Sequence, residues 1–303
     1  TVAAEVVKNS AALPVAATAS VLAAALLSAT PALALDPSAL PTGGQITAGS
    51  GSIAQSGSAM TVSQSSQQMI ANWSTFNIGQ NASVAFQQPN AAAVALNRIA
   101  DQNPSQIMGR LTANGQVFLL NPSGIIFGST ARVDVGGLVA SSLNLTDANF
   151  LAGRYSFEKS GTAGSILNQG SITAANGGYV AFIAPQVKNE GTITANTGSV
   201  LMAAADKVNL DFTGDGLISY SVEQGAVDAL ADNQGLIRAD SGMVIMTAKA
   251  VDSLTSAVVN NDGVIEARGI TTQGGRILLD AEDGMTTVTG TLDTSSGTAT
   301  GGR

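Results

Sequence analysis

The stretch "VFLLNPSGIIFG", Val117 to Gly128, holds the four residues whose types and spacing most invite a functional reading: Asn121, Pro122, Ser123 and Gly124. Apolar β-formers on both sides of an Asn-Pro-x-Gly unit read as strand, tight turn, strand. Pro suits the second position of such a turn, Gly takes a left-handed dihedral, and Asn caps its own corner. The unit is either a corner of the core or a signal that a partner reads. Asn121→Asp is the substitution that, on sequence grounds, leaves a plain corner folded.

Three other groups of residues suggest chemistry. Asp206, Asp211 and Asp215, with "DFTGDG", offer oxygens of the kind Ca²⁺ takes. They lack both the D-x-[DN]-x-[DN]-G loop and the nonapeptide of calcium β-rolls, so solvated turn carboxylates are expected and no metal is assigned. Trp73 and Phe76, in "NWSTFNIG", offer a carbohydrate-stacking platform, but their bulk favours a cap or core role. A polysaccharide lyase would need clustered carboxylates and a basic residue on one groove. The basic residues Arg98, Arg110, Arg132, Arg154, Lys159, Lys188 and Lys207 are spread thinly, with no pair expected at matching places of adjacent repeats. No catalytic residue and no cofactor is assigned.

Composition narrows the classes further. The 303 residues are 45% hydrophobic, 4% aromatic and 11% charged, with 34 Gly. There is ample apolar material to bury, but the residues are small, which suits a thin core of many close layers. The formal net charge of −8 and the lack of a basic stripe argue against a nucleic-acid partner. With no Cys and no His, disulfides, thiolate metal sites and the usual general base are excluded.

The elements that position these residues follow from a repeat. "NQGSITAANGGYVAFIA" starts at Asn168, "NEGTITANTGSVLMAAA" at Asn189, "NQGLIRADSGMVIMTAK" at Asn233 and "NDGVIEARGITTQGGRILLDA" at Asn261. The starts are 21, 44 and 28 residues apart (189−168, 233−189, 261−233), the middle value being two units of about 22. Each half of the unit alternates apolar and polar, so the unit reads as two strands, each with one buried face. Gly170, Gly191, Gly235 and Gly263 align, as do Ile172, Ile193, Ile237 and Ile265. Asn and Gly at these boundaries suit corners with positive φ. Such strands bury their faces only by stacking, which predicts an all-β solenoid, a parallel β-helix with ladders of Ile, Val and Ala inside. From Leu35 onward, about 22 residues per rung allows roughly twelve rungs.

Departures from the repeat mark smaller elements. An N-terminal cap is expected from residues near 35–75, because a bare first rung would be an aggregation edge. "KVNLDFTGDGLISYSV" reads as two strands about Thr213–Gly216, either a hairpin outside the helix or an irregular rung. "VDSLTSAVV", Val251 to Val259, reads as a short helical excursion. The outer faces are expected to be polar ladders without large apolar patches. Ahead of the fold, an apolar run from Val15 to Leu27 precedes Ala32-Leu33-Ala34. This is the pattern of a secretory signal peptide over residues 1–34, cleaved between Ala34 and Leu35.

Four stretches carry a family resemblance: "WSTFNIGQNASVAFQQPNAAAVALNRI", "NPSQIMGRLTANGQVFLLNPSGIIFG", "VDVGGLVASSLNL" and "YVAFIAPQVKNEGTITA". Together they resemble the haemagglutination-activity, or two-partner-secretion, domain that opens filamentous haemagglutinin-like exoproteins. The resemblance implies a right-handed parallel β-helix over residues 35–303, without catalysis, continuing into a longer passenger. It implies recognition in the periplasm by a dedicated outer-membrane β-barrel transporter with periplasmic docking domains. It further implies a secreted or cell-surface location in a Gram-negative bacterium, with host-cell glycans or receptors met through the passenger. The family's secretion motif, N-P-N-G, falls on Asn121, Pro122, Ser123 and Gly124, with Ser123 in place of the second Asn. The alternatives are a self-contained glycan-binding adhesin module and, more remotely, a β-helical polysaccharide lyase.

Overall fold

The computed structural model describes residues 35–212, 217–252, 257–269, 275–282 and 284–296. Strands dominate and stack in parallel, so the chain forms the expected parallel β-helix. A complete rung, however, carries three strands rather than two. One rung runs Ile166–Asn168, Ser171–Ala174 and Tyr179–Ala184; the next runs Gln186–Asn189, Thr192–Thr194 and Ser199–Ala204. The additional strand lies just ahead of each repeat start, as the short "ILN", "QVKN" and "AVVNN" segments. It is too short for its alternation to stand out.

Three sheets result. Among the described residues, sheet one has nine strands, sheet two seven and sheet three ten. Among the described residues, nine parallel strands of the longest sheet stand where roughly twelve rungs are expected, because residues are diverted into the cap and into elements outside the helix. The register is the one the repeat implies: Ile172 stacks on Ile193, Ile193 on Ile237 and Ile237 on Ile265, all fully buried. Among the described residues, antiparallel pairing occurs in these sheets only at the N-terminal end. There Gln45–Ala48 pairs with Gln68–Trp73, and Gly51–Ser56 with Ala59–Gln64. These strands close the first rung, as a cap must.

Two further expectations are corrected. The outer face of sheet one is apolar rather than polar. Its central strands are buried on both sides, as the unbroken runs "YVAFIA" and "VLMAA" require, because a strand covered on both sides shows no alternation. The cover is a three-stranded antiparallel sheet of Tyr155–Glu158, Lys207–Asp211 and Ser219–Gln224, joined by one short helix, Asp147–Leu151. Phe118 of sheet one meets Phe150, Tyr155, Phe157 and Phe212 of this cover at ring-centroid distances of 5.3–6.3 Å. The expected hairpin is therefore present, with Thr213–Gly216 outside the described residues. Of the helical excursion expected over Val251–Val259, Ala257 to Val259 belong to a strand of sheet two, and residues 253–256 lie outside the described residues. The helix sits instead at Asp147–Leu151, with Thr146 as N-cap accepting from the Asn149 N–H at 3.3 Å.

The corners work differently from the expectation of positive φ. Asn168, Asn189, Asn233 and Asn261 end strands of sheet two and are fully buried. Each donates its side-chain amide to the next: Asn168 to Asn189 at 2.8 Å, Asn189 to Asn233 at 2.7 Å, Asn233 to Asn261 at 2.7 Å. The aligned glycines do not have positive φ. They are small because the rungs touch: a Cβ on Gly191 would overlap the Gly170 carbonyl oxygen, one on Gly235 that of Gly191, and one on Gly263 that of Gly235. Positive φ falls at the other corner, on Gly177, Thr197 and Ser241.

Two predictions follow from the ladders. Asn189→Leu strands a buried donor on Asn168 and a buried acceptor on Asn233, so urea unfolding is expected to show a loss of about 2–5 kcal/mol. Gly191→Ala, which meets backbone, is expected to cost about 3 kcal/mol. Gly177→Ala, whose Cβ enters open space, is expected to cost only about 1 kcal/mol of left-handed strain in the same melts.

Candidate functional site

The Asn121–Gly124 turn joins Gln116–Leu120 of sheet one to Ile125–Phe127 of sheet two. "VFLL" is buried on both faces beneath the cover, and "IIF" sends Ile125 and Phe127 into the helix. Between them the chain must change sheets within four residues. The Gly124 N–H donates to the Asn121 carbonyl at 2.9 Å, closing a β-turn with Pro122 at its second position. Gly124 has φ +105°, and a Cβ there would overlap the Ser165 carbonyl oxygen. The reading of the unit as strand, turn, strand therefore holds at each residue.

The bonding of the turn runs mostly between rungs. Asn121 is fully buried. Its side-chain oxygen accepts from the Ser123 N–H at 2.9 Å, and its amide donates to the Ser105 hydroxyl at 2.9 Å and the Asn103 carbonyl at 3.1 Å. The Ser123 hydroxyl donates to the Asp101 carbonyl at 2.8 Å, so its contact is to the preceding rung and not a local turn bond. On the other side, Gly164 donates to the Pro122 carbonyl at 2.7 Å and Ile125 to that of Ser165 at 3.1 Å. Only Pro122 is exposed, with Ser123 half-buried. Asn121→Asp is consequently not a conservative probe, since it sets a buried carboxylate against the Asn103 carbonyl. The partners of the turn, Asp101 to Ser105 and Gly164 to Ser165, were not identifiable from the motif, because they lie about a rung away and, apart from the Ser105 hydroxyl, bond through backbone groups.

The other candidates separate. Trp73 and Phe76 are buried, ring to ring at 5.3 Å and edge-on. The Trp73 indole donates to Asn97 at 3.0 Å, so both serve the core and offer no stacking platform. Asp206 pairs with Lys159 at 2.9 Å, while Asp215 lies outside the described residues. Among the described residues no group of three His, Cys, Asp or Glu side chains is placed to hold a metal ion. Arg98 clamps the cover through Asp147 at 2.7 Å. Tyr179 donates to Gln116 beneath the cover, and burial pushes its phenol well above the usual tyrosine range. Arg110 and Arg132 overturn one expectation: they are direct register partners on adjacent strands of sheet three. The repeat alignment could not reveal this, because both precede the first clear repeat at Asn168. Residues 1–34, including Ala32 and Ala34, lie outside the described residues.

Comparison with known proteins agrees with this architecture. The secretion domain of HMW1 from Haemophilus influenzae, known from a crystal structure, superposes with a TM-score of 0.78 and 32% identity, covering 86% of this chain and 68% of that one. A heme/hemopexin-binding protein of Haemophilus influenzae strain Rd is 34% identical over 254 residues, 80% of this chain and 27% of the relative. A second Haemophilus influenzae heme/hemopexin-binding protein is 33% identical over 249 residues, 74% of this chain and 26% of the relative. The chain thus spans about a quarter of the length of the curated relatives it matches. Residues 38–294, from the N-terminal cap to the last strand of sheet three, match the TPS secretion domain, and the chain belongs to that family.

Proposed function

We propose that this chain is the secretion domain of a large exported adhesin or haemagglutinin. A dedicated outer-membrane β-barrel transporter recognises it through periplasmic docking domains, and it nucleates β-helix folding at the cell surface of a Gram-negative bacterium. The observation that carries the reading is the family match over nearly the whole solenoid. Residues 1–34 act as the signal peptide, cleaved between Ala34 and Leu35, on the strength of the apolar run and the A-x-A pattern. The domain itself contributes recognition and folding, not catalysis. Adhesion, or the heme/hemopexin binding named for the relatives, belongs to the activity of the whole exoprotein. His or Cys ligation of heme is not available within this sequence, which contains neither.

Within that function, the Asn121–Gly124 turn acts by fixing the corner where sheet one hands over to sheet two. Its polar side chains bond to the neighbouring rung, leaving little for a partner beyond the Pro122 ring.

Secretion into the medium, with and without the transporter, tests the function; loss of secretion without the transporter is expected. Asn121→Asp is expected to lower the thermal melt by several degrees and to reduce secretion in proportion. Pro122→Ala keeps every hydrogen bond of the turn and is expected to change stability by about 1 kcal/mol or less and to leave secretion intact. A Pro122→Ala chain that melts normally yet stays in the periplasm would place the transporter on the turn itself.

A further inference from the structure

The outer face of sheet three treats its arginines in two ways. In its C-terminal half, Arg238 stacks in register on Glu266 and bonds to it, and Arg268 bonds to the same carboxylate at 2.7 Å. In its N-terminal half, Arg110 stacks in register on Arg132, with Ser83 and Ser171 as the neighbours above and below in the column. Both arginines are exposed, and among the described residues neither has a carboxylate within ion-pair distance. Arg132 spends one nitrogen on the Ala131 carbonyl at 2.8 Å and a longer contact to Ser129. The rest of its fork is open. Like charges directly opposite on neighbouring strands are destabilising, and the nearest carboxylate in the same groove, Asp134, makes no ion pair with either arginine.

The pair also lines a groove. A depression of about 220 Å³ is walled by Arg110, Arg132, Asp134, Ser171 and Thr173. Asp134 joins it to a broader one walled by Ala85, Gln87, Thr112 and Asn114. These are mostly the outward positions of successive strands, so hydroxyl, amide and guanidinium groups recur at the rung spacing of about 4.8 Å. The surface is shallow, mixed in polarity and free of exposed aromatic rings.

We propose that this groove binds an anionic glycan, with Arg110 and Arg132 holding one sulfate or carboxylate group between them. A guanidinium fork matches either anion in two-point contact, and two forks one rung apart bracket it. The polar ladder suits sugar hydroxyls lying along the stack. Asp134 limits the charge the groove accepts and disfavours a polyanion that crowds it. With a chain of net charge −8, binding to a polyanion requires a local basic site rather than general attraction. The inference is independent of the secretion reading.

Titration calorimetry of the purified chain at low salt tests it, with a heparin hexasaccharide as sulfated probe, oligogalacturonate as carboxylated probe, and oligoglutamate as a non-glycan polyanion. Binding of at least one of the two glycans is expected, and which one binds identifies the anion. Arg110→Gln and Arg132→Gln are each expected to weaken it about tenfold or more, corresponding to the loss of a charged hydrogen bond. Asp134→Asn is expected to strengthen it, and Arg276→Gln, on an exposed position of sheet one, to leave it unchanged. Removing either arginine of the pair should also raise the thermal melt slightly, so a folding defect cannot mimic the result. The proposal is overturned if neither glycan binds, if binding survives the double Arg110→Gln/Arg132→Gln substitution, or if oligoglutamate binds equally well.

Discussion

Everything in this molecule depends on the contact between one rung and the next. Backbone hydrogen bonds hold successive strands at about 4.8 Å, and no side chain intervenes between them. Each position therefore has to be compatible with the same position one turn away. At the corner after each buried Asn, the backbone of one rung crosses the glycine carbonyl of the one before, which leaves no room for a Cβ. A side chain placed exactly above its counterpart must either be apolar, like the Ile172–Ile193–Ile237–Ile265 column, or be able to bond its own kind. Asn does the second, because one side chain carries both a donor and an acceptor. The four-residue amide chain is thus the polar equivalent of the isoleucine ladder, and its interior members satisfy both ends of their amides while buried.

The same constraint explains why the fold carries an external cover. Sheet three alternates apolar and polar, so its outer face is wet. Sheet one does not, and its outer row, with Phe118, Ile183, Leu201 and Ile245, is closed from solvent by the short helix and the antiparallel outer sheet. Arg98 and the aromatic cluster around Phe118 fasten that cover. Where the cover ends, Leu278 in the same sheet is 44% exposed, which shows how much apolar surface it removes elsewhere.

The repeat made the solenoid, the inward Ile and Val columns and the hairpin at Lys207–Gln224 readable, since all of these impose local periodicity or alternation. Three features were not readable, each for a physical reason. The third strand of each rung is three to five residues long, too short to display a period. The reason for the glycines is a contact with another rung, whereas a local reading sees only backbone freedom. The doubly buried sheet was present in the sequence as unbroken apolar runs, yet such runs also fit a single-faced strand with small residues. At Asn121–Gly124 the turn was legible from four letters, but its burial was not. The Asn121 oxygen caps its own turn, as four letters suggest, but that its amide also reaches across to Ser105 depends on a neighbour sixteen residues away.

Polar side chains on a stacked fold meet their own kind, and the consequences differ with charge. Asn over Asn is self-satisfying. Arg over Glu, at Arg238 and Glu266, neutralises itself. Arg over Arg, at Arg110 and Arg132, does neither, and the ladder between Leu111 and Val133 holds the two backbones at the rung spacing, so only the side chains can swing apart. A ladder is thereby able to hold an unsatisfied electrostatic arrangement that a loop would relax. That makes the outward face of a β-helix a rigid place on which to set charges for an external ligand. The Asn121–Gly124 turn, by contrast, has committed nearly all of its polar groups inward. The two sites divide along this line: one spends its hydrogen bonds on the fold, and the other keeps them for solvent or for what replaces it.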